Sequence, residues 1–222
     1  MAIAYNSATG AFASGVASLT FAHTITGSDT ILFVGATGVD FEVVTGVTYA
    51  GTAMTLITKK SAVGGTNNTI YLYYLINPTT GNNNVVISRS GTGYIGGVSA
   101  SYTGVKQSSQ PDAYASSTNT LNTSITQTVT SIANNCWGVA ICGIQRTPVE
   151  STGCIRRSLA GTWDFGIFDT NSAITPAGVI SMTQTFANLA ADAQSGIIVS
   201  FAPLTMPTTA KSIPAMLLTN VG

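Results

Sequence analysis

Residues that carry acid, base or nucleophilic chemistry are scarce in this 222-residue chain. His23 is the only imidazole, so a Ser–His–Asp triad would have to use it, and no GxSxG segment marks a nucleophile elbow. Glycoside hydrolysis needs two carboxyl groups about 5 to 10 Å apart. Asp164 and Asp169 flank one predicted strand and would point to opposite faces, which disfavours that pair. We therefore predict a structural role for His23 and no enzymatic activity.

Metal ligands are equally sparse. Asp40 and Glu42 would share a face of an extended segment, where their carboxylates could bind Ca²⁺, but the DxDxDG spacing is absent and a solvated strand edge is favoured. Zinc is not expected, because no CxxC spacing occurs and the imidazole is remote from the cysteines. Cys136 and Cys142 are too far apart on one strand to pair, whereas either could meet Cys154 from a neighbouring strand. Burial of all three as small apolar side chains is the favoured alternative, and no cofactor is expected.

Two groups of side chains could contact a ligand or a partner. Aromatic rings stack on sugars, and Trp137, Trp163 and Tyr71 belong to a set that could form such a platform, although core packing accounts for most of the set. Arg156 and Arg157 could clamp an acidic neighbour through bidentate hydrogen bonds, against the default of a solvated loop. Trp163, Tyr71, Arg156 and Arg157 are thus the predicted contact residues of the folded domain.

The composition narrows the range of partners. Charged residues make up 7% of the chain, against roughly 25% in a typical soluble domain. Eight basic and eight acidic residues balance without forming a block, so neither nucleic acid nor a membrane is expected as a partner. No apolar run is long enough for a spanning helix. Neutral polar residues replace charge, which suits a surface that packs against neighbouring molecules.

Short β-rich runs separated by turn signals recur about every 8 to 12 residues, a pattern typical of a sandwich or barrel. The run 69–76 is rich in aromatic and β-branched residues and ends at Asn77 and Pro78. Residues 46–49 and 54–58 flank a predicted tight hairpin turn. The other predicted strands are 16–22, 30–35, 84–89 and 97–102 on either side of a Gly-rich turn, 124–129, 136–142, 162–168, 178–186 and 196–201. The predicted fold class is all-β.

The domain is assigned to residues 1–203, because Pro203 follows the last predicted strand. Within it, the Ser-, Gln- and Asn-rich residues 106–119 are expected to form an exposed crossover, as Greek-key and jelly-roll topologies require. Residues 204–222 offer little pairing pattern and are predicted to be an arm that docks on another molecule. The arm carries three apolar candidates for that contact, Met216, Leu217 and Leu218.

Three segments follow one another in an order that suggests a family: VTYAGTAMTL at 47–56, LYYLINP at 72–78 and SASYTGVKQ at 99–107. Together they resemble a recurrent unit of phage structural proteins and bacterial surface proteins that have a concanavalin-like jelly roll. The resemblance implies an antiparallel two-sheet β-sandwich with jelly-roll topology, in which Tyr73 and Tyr102 pack in or near the core. It supplies no catalytic residue, and the fold alone does not define an activity.

These observations predict a non-enzymatic structural protein of a phage virion, in particular a capsid decoration or cement protein. Its expected partners are capsid or tail proteins and other copies of itself, bound through repeated weak contacts. The N-terminus lacks the basic and apolar regions of a secretory signal, so either a signal has been removed or the protein leaves the cell by another route, such as release with a phage particle. The initiating Met1 favours the second, and with it a virion location. The alternative is a carbohydrate-binding or adhesive module at the cell surface that uses exposed aromatic residues.

Overall fold

The computed structural model describes residues 1–38, 43–62, 69–119, 123–143, 148–161, 165–186 and 193–205. These residues form antiparallel strands and no α-helix, which confirms the all-β prediction, and none of their segments is a helix able to cross a membrane. The strands are β1 Ala4–Ile25, β2 Ile31–Gly38, β3 Val44–Tyr49, β4 Thr52–Ala53, β5 Thr55–Ser61, β6 Thr69–Ile76, β7 Gly81–Thr103, β8 Ala113–Asn119, β9 Ser124–Thr130, β10 Trp137–Gly143, β11 Pro148–Thr152, β12 Ile155–Ala160, β13 Phe165–Asp169, β14 Val179–Phe186 and β15 Gln194–Phe201.

The strands form three sheets, one more than predicted. The first sheet has the order β4-β3-β7-β2-β6-β5, with β1 paired to β7; the second is β12-β13-β10-β15-β8 and the third is β11-β14-β9. Burial explains the third sheet. The strands β10 and β15 are buried at every position, so the second sheet must be covered on both faces, whereas β9 and β14 alternate between buried and more exposed residues. The third sheet is therefore a one-sided outer layer over the second.

The first sheet curls because its two longest strands, β1 and β7, pair with each other and bend together at a bulge. Strand β1 pairs with β7 along most of its length, but register shifts interrupt the pairing between Ala13 and Ser18. Gly15 lies there with a φ of 70°, and bulges of this kind bend a strand and increase its twist. The two ends of β1 consequently approach each other, and Asn6 Nδ2 donates a hydrogen bond to Thr26 O over 3.1 Å.

The sequence predicts a turn or a strand correctly where the signal for it lies within a few adjacent residues. Strand β6 coincides with the predicted run 69–76. The predicted tight turn is confirmed by the pairs Thr48↔Ala53 and Tyr49↔Thr52, but most of the second predicted arm, 54–58, belongs to β5, which pairs with β6. The two central residues of the turn, Ala50 and Gly51, both have positive φ, as a two-residue type I′ turn requires.

Two predicted connections are wrong. The residues on either side of the predicted Gly-rich turn belong to one continuous strand, β7, because β1 provides a partner before and after its bulge. The crossover expected over 106–119 contains β8, which pairs with β15 although it is built mainly of Ala, Ser and Thr. In both places a neighbouring strand overrides weak local propensity.

Separate core clusters fill the spaces between the layers. The largest lies between the first and second sheets and includes Phe33 and Phe201, whose ring centroids are 5.2 Å apart, together with Tyr102. A second cluster, which includes Tyr49 and Tyr73, consists of residues of the first sheet and its connections alone, so that sheet encloses its own core. Two smaller clusters lie between the second and third sheets.

The end of the described chain is attached to the folded strands. The Leu204 amide donates to Gly104 O over 2.8 Å, and the Met1 amino group donates to Leu204 O over 2.8 Å. The predicted arm therefore begins with a residue that is hydrogen-bonded to the domain. Residues 206–222 lie outside the described residues.

Candidate functional site

The outer face of the third sheet is the first candidate contact surface. Its side chains come from alternate residues of β9 and β14, and their inward neighbours are buried. Thr126 Oγ1 and Thr183 Oγ1 form a cross-strand hydrogen bond of 2.8 Å. At one end of the face Val179, 66% exposed, pairs with Thr130, and Ile132, two residues after Thr130, is 75% exposed. The eight outward residues, which we call the threonine face, are Ser124, Thr126, Thr128, Thr130, Val179, Ser181, Thr183 and Thr185.

The second candidate is the open seam of the first sheet. Strands β4 and β5 are the two ends of its strand order, and among the described strands β4 pairs with β3 and β5 with β6. Residues of β3, β4, β5 and β6 nevertheless line one hollow of about 530 Å³. The hollow therefore lies between β3 and β5, next to Met54, which joins β4 to β5, and we call it the seam groove.

The seam groove has an apolar floor and a mixed rim. Buried Met54, Tyr71 and Tyr73 contribute to the floor, and burial raises the pKa of both tyrosines, so their hydroxyls stay protonated at neutral pH. The rim includes Leu56, 42% exposed, and the exposed Lys59. Tyr71, a predicted contact residue, thus lies at this groove, but it is only 3% exposed and offers no open ring face for stacking.

Arg157 is engaged inside the protein. Its Nε lies 2.6 Å from Oδ2 of the fully buried Asp169, and its guanidinium stacks over Tyr5 at 4.0 Å from the ring centroid. The Tyr102 hydroxyl donates to the same carboxylate oxygen over 2.9 Å, and burial with the neighbouring carboxylate raises the pKa of Tyr102 well above its usual value. Of the two predicted clamp residues, Arg157 therefore serves this ion pair, whereas Arg156 is exposed on β12.

His23 lies in a buried cage of hydroxyl groups. Its Nδ1 is 2.8 Å from Ser99 Oγ and its Nε2 is 3.0 Å from Ser101 Oγ. Ser7 Oγ also lies 3.1 Å from Nε2, so both ring nitrogens have hydroxyl partners. Burial lowers the pKa of His23 to about 4, which keeps the ring neutral. No carboxylate is among its hydrogen-bond partners in the described chain, and the geometry agrees with a structural role.

The three cysteines are free thiols. Cys136 and Cys142 are buried, and Cys154 is half-buried. Burial and the neighbouring Asp112 carboxylate raise the pKa of Cys136 to about 12, so this thiol remains protonated. Within the described ranges, no three His, Cys, Asp or Glu side chains are grouped as a metal site.

A cavity of about 580 Å³ lies where the described chain ends. Met1, Ile3, Trp137, Pro203 and Leu204 contribute to its walls. Trp137, one of the aromatic residues considered for sugar stacking, is 8% exposed and packs in the core between the first and second sheets. Trp137 therefore lines this cavity and does not belong to an exposed surface on which a sugar could stack.

Three of the seven predicted contact residues belong to the described part of the chain. Tyr71, Arg156 and Arg157 lie on different parts of the first and second sheets, so they form no common site. Four others lie outside the described residues, namely Trp163, Met216, Leu217 and Leu218. The same is true of Asp40, Glu42 and Asp164.

Sequence reasoning missed both candidate surfaces. The threonine face has a visible signal, because Thr-Gln-Thr occurs in β9 at 126–128 and in β14 at 183–185, with polar residues alternating around a buried glutamine. The seam groove has no such signal, since it depends on how the first sheet curls. No protein-family model, curated protein or solved structure matches this chain.

Proposed function

We propose that this chain is a non-enzymatic structural protein of a phage virion, a capsid decoration or cement protein that contacts capsid or tail proteins and other copies of itself. The observation that carries the proposal is the threonine face. Proteins keep sheets from associating by placing charged residues on them. None of the eight outward residues of β9 and β14 is charged; on the edge strand β11 of the same sheet, Glu150 pairs with Thr185.

The chemistry of the threonine face favours repeated contact. Threonine and valine are stiff at χ1, so little side-chain entropy is lost when such residues become ordered at an interface. Hydroxyl groups both donate and accept hydrogen bonds, which lets the face meet a neutral polar neighbour without leaving a charge unpaired. Each contact would be weak, and many copies on one particle would supply avidity.

The proposal also includes a specific topology for the chain, the concanavalin-like jelly roll. It is supported by the antiparallel pairing throughout and by the packing of the first and second sheets around one core. The resembling segments fall on the β3–β5 region, on β6 and at the end of β7. The proposed topology must accommodate one departure: β1 to β7 stay in the first sheet, whereas a jelly roll passes successive strands between two sheets.

The test is binding of the purified chain to virions, followed by sedimentation and by electron microscopy of the particles. We expect ordered copies on the particle surface. Thr128→Lys places a charge at the centre of the threonine face and should lower the bound fraction about tenfold or more, because the charge would be buried unpaired. Thr20→Lys, on an exposed position of β1, is the matched control and should bind like the unmodified chain.

A monodisperse monomer at high concentration that binds no shell or filament would contradict the proposal. So would equal binding by the Thr128→Lys and Thr20→Lys variants, because the threonine face would then make no contact.

A carbohydrate-binding surface module is the second candidate, and exposed aromatic residues favour it. Tyr94 stacks on Phe12 with the ring centroids 5.9 Å apart, and Tyr114 is also exposed. A glycan array separates the two functions. Sugar binding that is lost in Tyr94→Ala or Trp163→Ala supports the carbohydrate-binding module, and an array without signal supports the virion protein.

A further inference from the structure

The seam groove combines the outer edge of β5 with a hollow of side-chain size. An edge strand presents backbone N–H and C=O groups that can pair with an added strand. Among the strands that the structure describes, the outer edge of β5 provides such an edge on one side of the groove, and β3 forms the other side. Its volume of about 530 Å³ suits a few side chains of one extended segment. A strand added here would extend the curled sheet towards closure.

A β-bulge gives the groove its particular chemistry. Leu56 is paired with Tyr73 and Lys59 with Tyr71, with a register shift between Leu56 and Thr58. In a regular strand two residues three apart face opposite sides. The bulge instead turns both Leu56 and Lys59 towards the groove, so an apolar contact and a cation lie side by side.

The positive charge at the edge of β5 determines which kind of segment can pair with it. Lys59 and Lys60 are adjacent on β5, although the whole chain has only eight basic residues. Lysines on an edge strand disfavour pairing with a second copy, because like charges would be opposed, and favour a strand with an acidic residue. Residues 204–222 contain Lys211 and no acidic residue, so the predicted arm does not meet this requirement.

We infer that the seam groove is a docking site for an extended, acidic segment of a different protein. The segment pairs with the edge of β5 and directs alternate residues into the groove, an apolar side chain over Met54 and Tyr73 and a carboxylate at Lys59. This inference rests on the proposed function, of which it defines one contact. It assigns the groove to a heterologous partner such as a capsid or tail protein, and leaves self-association to other surfaces.

Two capped octapeptides test the inference on the full chain. In both, valine alternates with threonine; one probe carries glutamate in place of a single valine and its matched probe carries lysine there. We expect the glutamate probe to bind and to slow amide exchange in β5, measured by hydrogen exchange with mass spectrometry. The lysine probe should bind about tenfold more weakly or less, because its charge opposes Lys59.

Charge reversal separates recognition from a folding defect. Lys59→Glu should reverse the preference of the chain, so that the lysine probe becomes the better ligand, a gain that an unfolded variant would not show. Lys60→Glu is the matched control, because Lys60 pairs with Ile70, whose side chain packs on the other face, and it should retain the preference for glutamate. Absence of β5 protection with either probe would overturn the inference, as would an unchanged preference in Lys59→Glu or a glycan that protects β5 instead.

Virion binding by the same variants distinguishes this inference from the proposed function. If the unmodified chain binds particles and Lys59→Glu binds them equally well, the groove inference is wrong and the proposed function stands. If the glutamate probe protects β5 but the chain binds no particle, the groove inference stands and the proposed virion function is wrong.

Discussion

Two buried polar clusters hold different parts of this molecule together. The ion-pair cluster joins two sheets, because Arg157 and Asp169 belong to the second sheet and Tyr102 to the first. The histidine cluster stays within the first sheet, where His23 near one end of β1 lies 3.1 Å from Ser7 near the other end. Both clusters use the strand β7, whose alternate residues face opposite sides of the sheet.

The difference between the clusters is one of charge. A buried ion pair costs desolvation energy but requires a defined geometry, which suits a contact that sets one sheet against another. The ends of the β1–β7 ribbon are already paired by backbone hydrogen bonds, and neutral groups suffice to hold them together. The comparison indicates that the charged cluster lies at a contact between sheets: Arg157 and Asp169 pair within the second sheet and contact Tyr5 and Tyr102 of the first.

Removing the cation tests the ion-pair cluster and should have the largest effect. Arg157→Met leaves the Asp169 carboxylate buried without its partner, and we expect a loss of about 3 to 5 kcal/mol in the free energy of unfolding. Urea denaturation measures it. Lys59→Met, which removes an exposed cation, should change stability by no more than about 0.5 kcal/mol. A loss as small in Arg157→Met as in this control would show that the ion pair does not stabilise the fold.

The dependence of stability on pH tests the histidine cluster. The folded pKa of His23 is about 4, below its ordinary value of 6.5, so below pH 6.5 the unfolded chain binds a proton that the folded chain does not. Stability should therefore fall as the pH drops from 6.5 towards 4, by about 3 kcal/mol from this residue. Denaturation curves at several pH values, compared with those of His23→Gln, isolate the effect. Parallel pH profiles for the two proteins would contradict it.

Removal of one hydroxyl from the ion-pair cluster sharpens the comparison. Tyr102→Phe deletes the hydrogen bond to the Asp169 carboxylate and should cost about 1.5 to 3 kcal/mol, because the acceptor is charged. Thermal and urea unfolding of the variant measure the loss. In the Arg157→Met background the loss should change, since both groups contact one carboxylate oxygen, and strict additivity would argue against a shared cluster.

The smallest effect is expected from the equivalent change beside the histidine cluster. Tyr49→Phe removes hydrogen bonds of 3.2 Å to His23 O and 3.3 Å to Gly81 O, both neutral acceptors. The expected cost is about 0.5 to 1.5 kcal/mol. Measured beside Tyr102→Phe under the same conditions, it should be the milder of the two. The reverse order would remove the distinction between a charged and a neutral cluster.

The predicted parts of the fold are those with a local signal. The β6 run, the turn at Ala50 and Gly51 and the strands β9 and β14 each depend on a few residues of sequence, and the structure contains all of them. The candidate sites were harder to predict from the sequence. Tyr71 was predicted as a contact residue, but its burial and its place beside Lys59 follow from strand pairing.

The sequence by itself determined that this chain is all-β, poor in charge and without an obvious catalytic set, because strand propensity, turn residues and composition are local properties. Only the tertiary structure decided that the first sheet curls, that a third sheet covers the second, and that Arg157 meets Asp169. The physical reason is that strand pairing joins residues distant in the chain. Each bulge also changes which side chains share a face, and neither effect is encoded in a short pattern.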